Sequence, residues 1–209
     1  VRRRRVEGIL DVCAPAYGPS FGDDAFLSLL RDGGFNVLCH HGADVTNYRS
    51  PDFDAVGAAA NNARNLPAVI EALRSGGSRR IVLTGSVFEG GEGAGSQGLP
   101  DFSPYGFSKR ITSETFHYYA GRDGLSLGKF VIPNPFGPYE EPRYTAYLMK
   151  NWLEGKTPSC SNPVYVRDNI HVSLLAKAYA AFVAGLPDLP NIAKLNPMGF
   201  AESQGAFTL

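Results

Sequence analysis

The sequence predicts an α/β fold, a doubly wound parallel sheet followed by a smaller region. Three observations predict it. The short apolar runs 35–39 (FNVLC), 80–84 (RIVLT) and 129–132 (KFVI) have the length and composition of strands buried on both faces. Long helical patterns separate them, as crossovers between parallel strands require. Crossovers of this kind are right-handed, which places helices on both faces of the sheet.

Taken in order, the four arginines Arg2 to Arg5 are expected as a solvated or disordered tail. Ile9-Leu10-Asp11-Val12 is expected as a short strand ending at an acidic residue. Residues 25–31 (AFLSLLR) form an amphipathic helix, stopped by Gly33-Gly34. The strand at 35–39 leads into His40-His41-Gly42-Ala43. From about Asp54 to Ser75 the alanines, with Val56, Leu66, Val69, Ile70 and Leu73, support one long helix closed by Gly76-Gly77. The strand at 80–84 runs into Gly85-Ser86-Val87-Phe88, and a glycine-rich loop spans Gly90 to Gly98. Ser103 and Pro104 then start a helix, as N-cap and first-turn residue, that reaches about Ala120. After the strand at 129–132, Pro133 to Pro138 reads as loop. A helix from Arg143 to Leu153, a polar loop and a brief strand at Tyr165-Val166 follow. An alanine-rich helix to Val183 would be capped by Asp168 or Asn169. Asn191 to Leu195 is a last strand, and helical turns begin at Glu202.

Composition narrows the function classes. The 20 basic and 20 acidic residues leave no net charge, so nucleic acid and anionic membrane are not expected partners. Cys13, Cys39 and Cys160 are odd in number and widely spaced, which argues against a disulfide framework or a zinc site and fits a reducing cytoplasm. No apolar run approaches the roughly 18 residues of a membrane-spanning helix.

Ser103 to Lys109 (SPYGFSK) carries the chemistry. Tyr105 and Lys109 are one helical turn apart on one face. A phenol is a poor base at neutral pH; an ammonium beside it, and the helix N-terminus, favour the phenolate. The pair is a tuned proton donor and acceptor if a substrate reaches it.

With these motifs in this order, the chain from Ile9 to Leu195 resembles the extended short-chain dehydrogenase/reductases, the NAD-dependent epimerase/dehydratase family. The resemblance implies a Rossmann-like sheet holding NAD, with NADP the alternative, and a nucleotide-sugar substrate. It makes Tyr105 the catalytic acid/base and Lys109 the residue that tunes it and holds the nicotinamide ribose. The catalytic hydroxyl is Ser86 counted from the strand, or Thr84 counted back from Val87-Phe88, which resembles the family's Val-Tyr-Gly. His41-Gly42-Ala43 resembles the small-residue turn along the cofactor. Two adjacent histidines on a strand point to opposite faces, so His40 and His41 make a poor metal pair. Asp11-Val12 resembles the pair at the adenine; Asp11 as a simple helix cap is the other reading. Pro133 and Asn134 lie beside nicotinamide and substrate in relatives, and Arg143 and Arg167 fall in the part that binds the sugar nucleotide, Arg167 suiting the diphosphate.

Departures from the family shape the expectation. No strand-GxxGxxG-helix unit is present in the sequence, so the fold is expected to be N-terminally incomplete, as part of a longer enzyme; a naturally short relative is the alternative. The expected division is a dinucleotide-binding domain at 1–138 and a partial substrate-binding region at 139–209. Gly85-Ser86 after Thr84 replaces the Asp-Glu pair of dehydratases, which places an epimerase or reductase ahead. Ala59-Ala60 stand where the family has Asn-Val, with Asn61 or Asn62 as the polar substitute. A non-catalytic relative that keeps the fold as a subunit is the second reading. A homodimer through the two long helices, with Ala58, Ala59, Ala60 and Ala63 allowing close approach, is the expected assembly.

Overall fold

The structure, a computed structural model, describes residues 2–92 and 100–209. In chain order its elements are α1 (Arg2–Glu7), α2 (Asp24–Asp32), β1 (Leu38–His40), α3 (Ala55–Asn62), α4 (Leu66–Ser75), β2 (Arg80–Ser86), α5 (Pro104–Asp123) and β3 (Ser126–Ile132). There follow β4 (Asn134–Phe136), α6 (Tyr144–Leu153), β5 (Val166–His171), α7 (Val172–Gly185), β6 (Asn191–Leu195), β7 (Phe200–Ser203) and α8 (Gln204–Thr208). They form two compact units interleaved in sequence: residues 18–132 with 179–196, and residues 1–17, 133–178 and 197–209.

The larger unit is the α/β sheet. Its strands run β1-β2-β3-β6, all parallel, with Leu38 level with Ile81 and Ile81 level with Leu127. On one face Leu27 and Leu30 of α2, Leu66, Val69, Ile70 and Leu73 of α4, and Phe116 of α5 close over Ile81, Leu83 and Leu127 in a single buried cluster. On the other face the second half of α7 covers the sheet, Phe182 and Tyr179 meeting the ring of Phe130 at 5.7 and 4.9 Å. Helices on both faces give the doubly wound arrangement, which is why Ile81 to Leu83 of β2 and Phe130 to Ile132 of β3 read as apolar runs. The smaller unit holds a second sheet, β4-β5-β7, in which β4 and β5 are parallel and β5 and β7 antiparallel.

Several expectations need correction. The arginine run is a helical turn and a half, its Arg3 paired with Glu7 and Arg5 with Glu141. Ile9 to Val12 is not a strand. The N–H groups of Ile9, Val12 and Cys13 bond carbonyls three or four residues back, which leaves the segment as exposed turns. Strand β1 starts only at Leu38, because the Asn36 carbonyl is taken by Ser78 Oγ and Arg80 Nε instead of a strand neighbour. The long helix from Asp54 to Ser75 is two helices. Asn65 sits in the left-handed region (φ 53°), and Pro67, lacking an N–H, opens a new first turn rather than continuing the old one.

Pro133 to Pro138 is not wholly loop: Asn134–Phe136 pairs with Asn169–His171. Pro135 is tolerated there because β4 is an edge strand. Asp168 and Asn169 do not cap α7 but lie inside β5, where Asp168 accepts the N–H of Gly199. Strand β7 was not expected; Glu202 belongs to it, and α8 is capped by Ser203. Of the glycine-rich loop, residues 93–99 lie outside the described residues.

Candidate functional site

In the larger unit, β2 delivers Thr84 and Ser86 at its C-terminal end and α5 delivers Tyr105 and Lys109 in its first two turns. Helix α5 begins as the sequence predicts, with Ser103 Oγ accepting the N–H of Gly106 and Pro104 at the first helical position. Gly106 is required by contact: a Cβ there would overlap the carbonyl oxygen of Phe88. The first turn of α5 therefore rests on the backbone that leaves β2. The Tyr105 ring meets Tyr48 and Phe53 edge to face, at 5.4 and 6.4 Å between centroids. Lys109 is 3% exposed. Burial pushes its pKa down; Glu89 opposes that shift and Lys129 adds to it.

The two hydroxyls differ in surroundings. Thr84 is buried, its Oγ1 2.7 Å from Nδ1 of His41. Ser86 is half-buried, its Oγ accepting the N–H of Phe88. Burial and the Lys109 ammonium both lower the pKa of His41, so the ring is neutral at pH 7. His40 points the other way, packed between Phe21 and Phe116, and burial with Lys109 lowers it to about 4. The opposed histidines follow the alternation expected of a strand. Among the described residues no group of three His, Cys, Asp or Glu could hold a metal ion.

The turn His41-Gly42-Ala43 is tied to α5 through a residue the sequence named only as one of two substitutes. Asn62 Oδ1 accepts the N–H of Asp44 while its Nδ2 donates to Thr112 Oγ1. Asp11 and Val12, expected at a strand end, lie in the exposed turns of the smaller unit, Val12 being 81% exposed.

The smaller unit gathers two of the three residues expected at a sugar nucleotide. Arg167 Nη1 donates to Asn134 Oδ1 at 3.2 Å, and Asn134 Nδ2 donates to Asn169 Oδ1. The guanidinium lies over the Tyr165 ring at 5.0 Å, its Nε buried without a partner among the described residues. Pro133 is buried directly after β3, and Arg143 is exposed at the head of α6. Sequence reasoning missed Tyr48, Phe53, Glu89 and Lys129. Only Lys129 left a signal, a lone charge inside an apolar strand.

The sequence matches the NAD dependent epimerase/dehydratase family over residues 19–191. The chain belongs to that family. Comparison with curated proteins finds no match. Among solved structures, DesIV, a dTDP-glucose 4,6-dehydratase from Streptomyces venezuelae solved with NAD bound, is 22% identical with a TM-score of 0.72. That match covers 98% of this chain and 65% of DesIV. WbmG from Bordetella bronchiseptica, solved with NAD and UDP, is 24% identical with a TM-score of 0.63, over 93% of this chain and 62% of WbmG. The UDP-Glc/GlcNAc 4-epimerase from Campylobacter jejuni is 14% identical with a TM-score of 0.70, over 100% of this chain and 70% of that one. At these identities the likeness speaks for the fold, and the chain spans about two thirds of each neighbour's length.

Proposed function

We propose that this chain is part of an NAD-dependent enzyme acting on a nucleotide sugar, an epimerase first and a reductase second. The observation that carries the reading is Lys109, a buried ammonium one helical turn from Tyr105 on α5. Ribose hydroxyls of a nicotinamide cofactor are the acceptors such a group fits, so the residues present suit NAD. NADP is the alternative. When bound, the nicotinamide supplies a hydride acceptor for a sugar carbon.

Tyr105, as phenolate, takes the proton of the sugar hydroxyl while Lys109 holds its charge. Ser86 donates a hydrogen bond to the sugar oxygen as charge shifts there; its Oγ already accepts from Phe88, which leaves its own proton to give. Thr84 is the second choice, since its hydroxyl is engaged by His41. His41, Gly42 and Ala43 line the cofactor, with Pro133 a further contact. Arg167, oriented by Asn134, grips the diphosphate, and Arg143 assists. Absence of an Asp-Glu pair after Thr84 disfavours dehydration.

Incubation of the purified chain with NAD tests the reading. A cofactor-dependent rise in melting temperature, with nicotinamide reduction on adding a sugar nucleotide, supports it. No dinucleotide binding at millimolar NAD overturns catalysis by these 209 residues and favours a non-catalytic relative. We further propose a cytoplasmic homodimer. Unpaired Cys13, Cys39 and Cys160 favour the compartment, and Val56 of α3 and Tyr118 of α5, both exposed, are candidates for the contact. Ala58 and Ala59 are buried within the chain, so close approach would fall to Ala60. A monomer in sedimentation at micromolar concentration overturns the dimer.

A further inference from the structure

A charged cluster lies under the sheet where the apolar core should continue. Lys129 of β3 shares a face with Leu127 and is 5% exposed. Its ammonium is held between Glu89 Oε2 at 2.6 Å and Glu92 Oε1 at 2.7 Å, both carboxylates buried. Glu92 is held in turn by Lys194 and Asn196. An ion pair this dry is poor value for stability alone, because desolvation offsets most of the attraction. Its geometry indicates another use.

We infer that Glu89 and Lys129 form a buried clamp that positions the hydroxyl-bearing end of β2 against the first turn of α5. The second oxygen of Glu89 accepts the N–H of Ser86 at 2.7 Å. Strand β1 has ended level with Leu83, three residues earlier, so the carboxylate stands in where the neighbouring strand has stopped. Two residues on, Phe88 is fixed by Ser86 Oγ at its N–H and by Phe102 N–H at its carbonyl. That carbonyl is the atom against which Gly106 packs, next to Tyr105. The path from Lys129 to the Tyr105 turn is thus a chain of direct contacts. Gly85 completes the fit: a Cβ there would stand 2.8 Å from Lys129 Cε and 3.1 Å from Glu89 Oε1, so the strand is kept bare where the clamp passes.

The inference deepens the proposed function, since it rests on Ser86 or Thr84 working with Tyr105. Glu89 and Lys129 are positioning residues; neither is assigned a contact with substrate. Backbone amide exchange by NMR on the full labelled chain tests the clamp without needing turnover. The double variant Glu89→Ala/Lys129→Met removes both charges, while Glu92 keeps Lys194 and Asn196. Exchange at Ser86 and Phe88 is expected to rise at least about tenfold, with Ile81 and Leu127 unchanged. The single variant Glu89→Gln keeps a neutral acceptor, and the Ser86 proton is expected to move upfield as that acceptor loses its charge. Unaltered Ser86 exchange and shift overturn the clamp, as does equal acceleration at Ile81 and Leu127, which marks a merely structural role. Where the wild type turns over a sugar nucleotide, Glu89→Gln is expected to lower kcat about tenfold with KM little changed; an unchanged kcat overturns the positioning role. A wild type that binds no dinucleotide sinks the enzyme reading, and the exchange measurements still decide the clamp.

Discussion

Tyr105 and Lys109 act as a unit only if the phenol does proton chemistry, and the simplest test removes one oxygen. Tyr105→Phe keeps the ring contacts with Tyr48 and Phe53. Turnover is expected to fall by a factor on the order of 100 to 10,000, the usual contribution of general acid–base catalysis, with the melting temperature held. A steady-state assay beside a thermal melt checks both. The hydroxyl on β2 is decided by comparison. Ser86→Ala is expected to cost more in kcat than Thr84→Val, because the Thr84 hydroxyl is already committed to His41; the reverse order would reassign the role to Thr84. Spacing put Tyr105 and Lys109 on one helical face, and the order of the surrounding motifs made the pair a candidate. The choice between Ser86 and Thr84 was not, since both occur at the end of one apolar run, and only their different partners separate them.

At the scale of the element, α5 is the piece on which the site depends. Ser103→Ala removes the hydrogen bond to the Gly106 N–H and is expected to cost about 0.5–2 kcal/mol, read as a lowered denaturant midpoint. Gly106→Ala should be worse than its small size implies, because the added methyl meets main chain and not a movable side chain. A loss several times that of Ser103→Ala is expected in the same measurement; equal losses would mean the loop at Phe88 can retreat. Boundaries were the weaker part of the sequence reading. Apolar periodicity carried one helix from Asp54 to Ser75 straight through Asn65 and Pro67, where backbone chemistry divides it. Ile9 to Val12 had strand composition, yet local hydrogen bonds claim its N–H groups.

For the molecule as a whole, the buried histidine makes the sheet unit acid-sensitive. His40 has a folded pKa of about 4 against about 6.5 unfolded. The folded state refuses a proton that the unfolded chain takes up, so stability is full above pH 6.5 and falls as pH drops towards 4. The full shift is worth about 3 kcal/mol. Glu92, Asp101 and Asp123, all with lowered pKa, extend the loss below pH 4.5. Melting temperature followed from pH 7 to pH 4 is expected to decline, and His40→Leu to flatten the part of the decline between pH 6.5 and 4. A wild-type curve flat over that range would refute the assignment. Among the described residues no helix is long and apolar enough to cross a membrane.

The sequence by itself determined the α/β class and the Tyr105–Lys109 turn, because strand burial, helix capping and i to i+4 spacing are local properties of the chain, while the order of its motifs carried the family resemblance. Tertiary structure decided what those residues meet. It set His40 into the core and His41 onto Thr84, chose Asn62 to hold the turn at Asp44, and brought Glu89 and Glu92 to Lys129 across about 40 residues of chain. A buried charge signals its own presence in a sequence. Its partners are named only when the sheet closes, since no local rule relates a lysine in one strand to carboxylates in the loop after another.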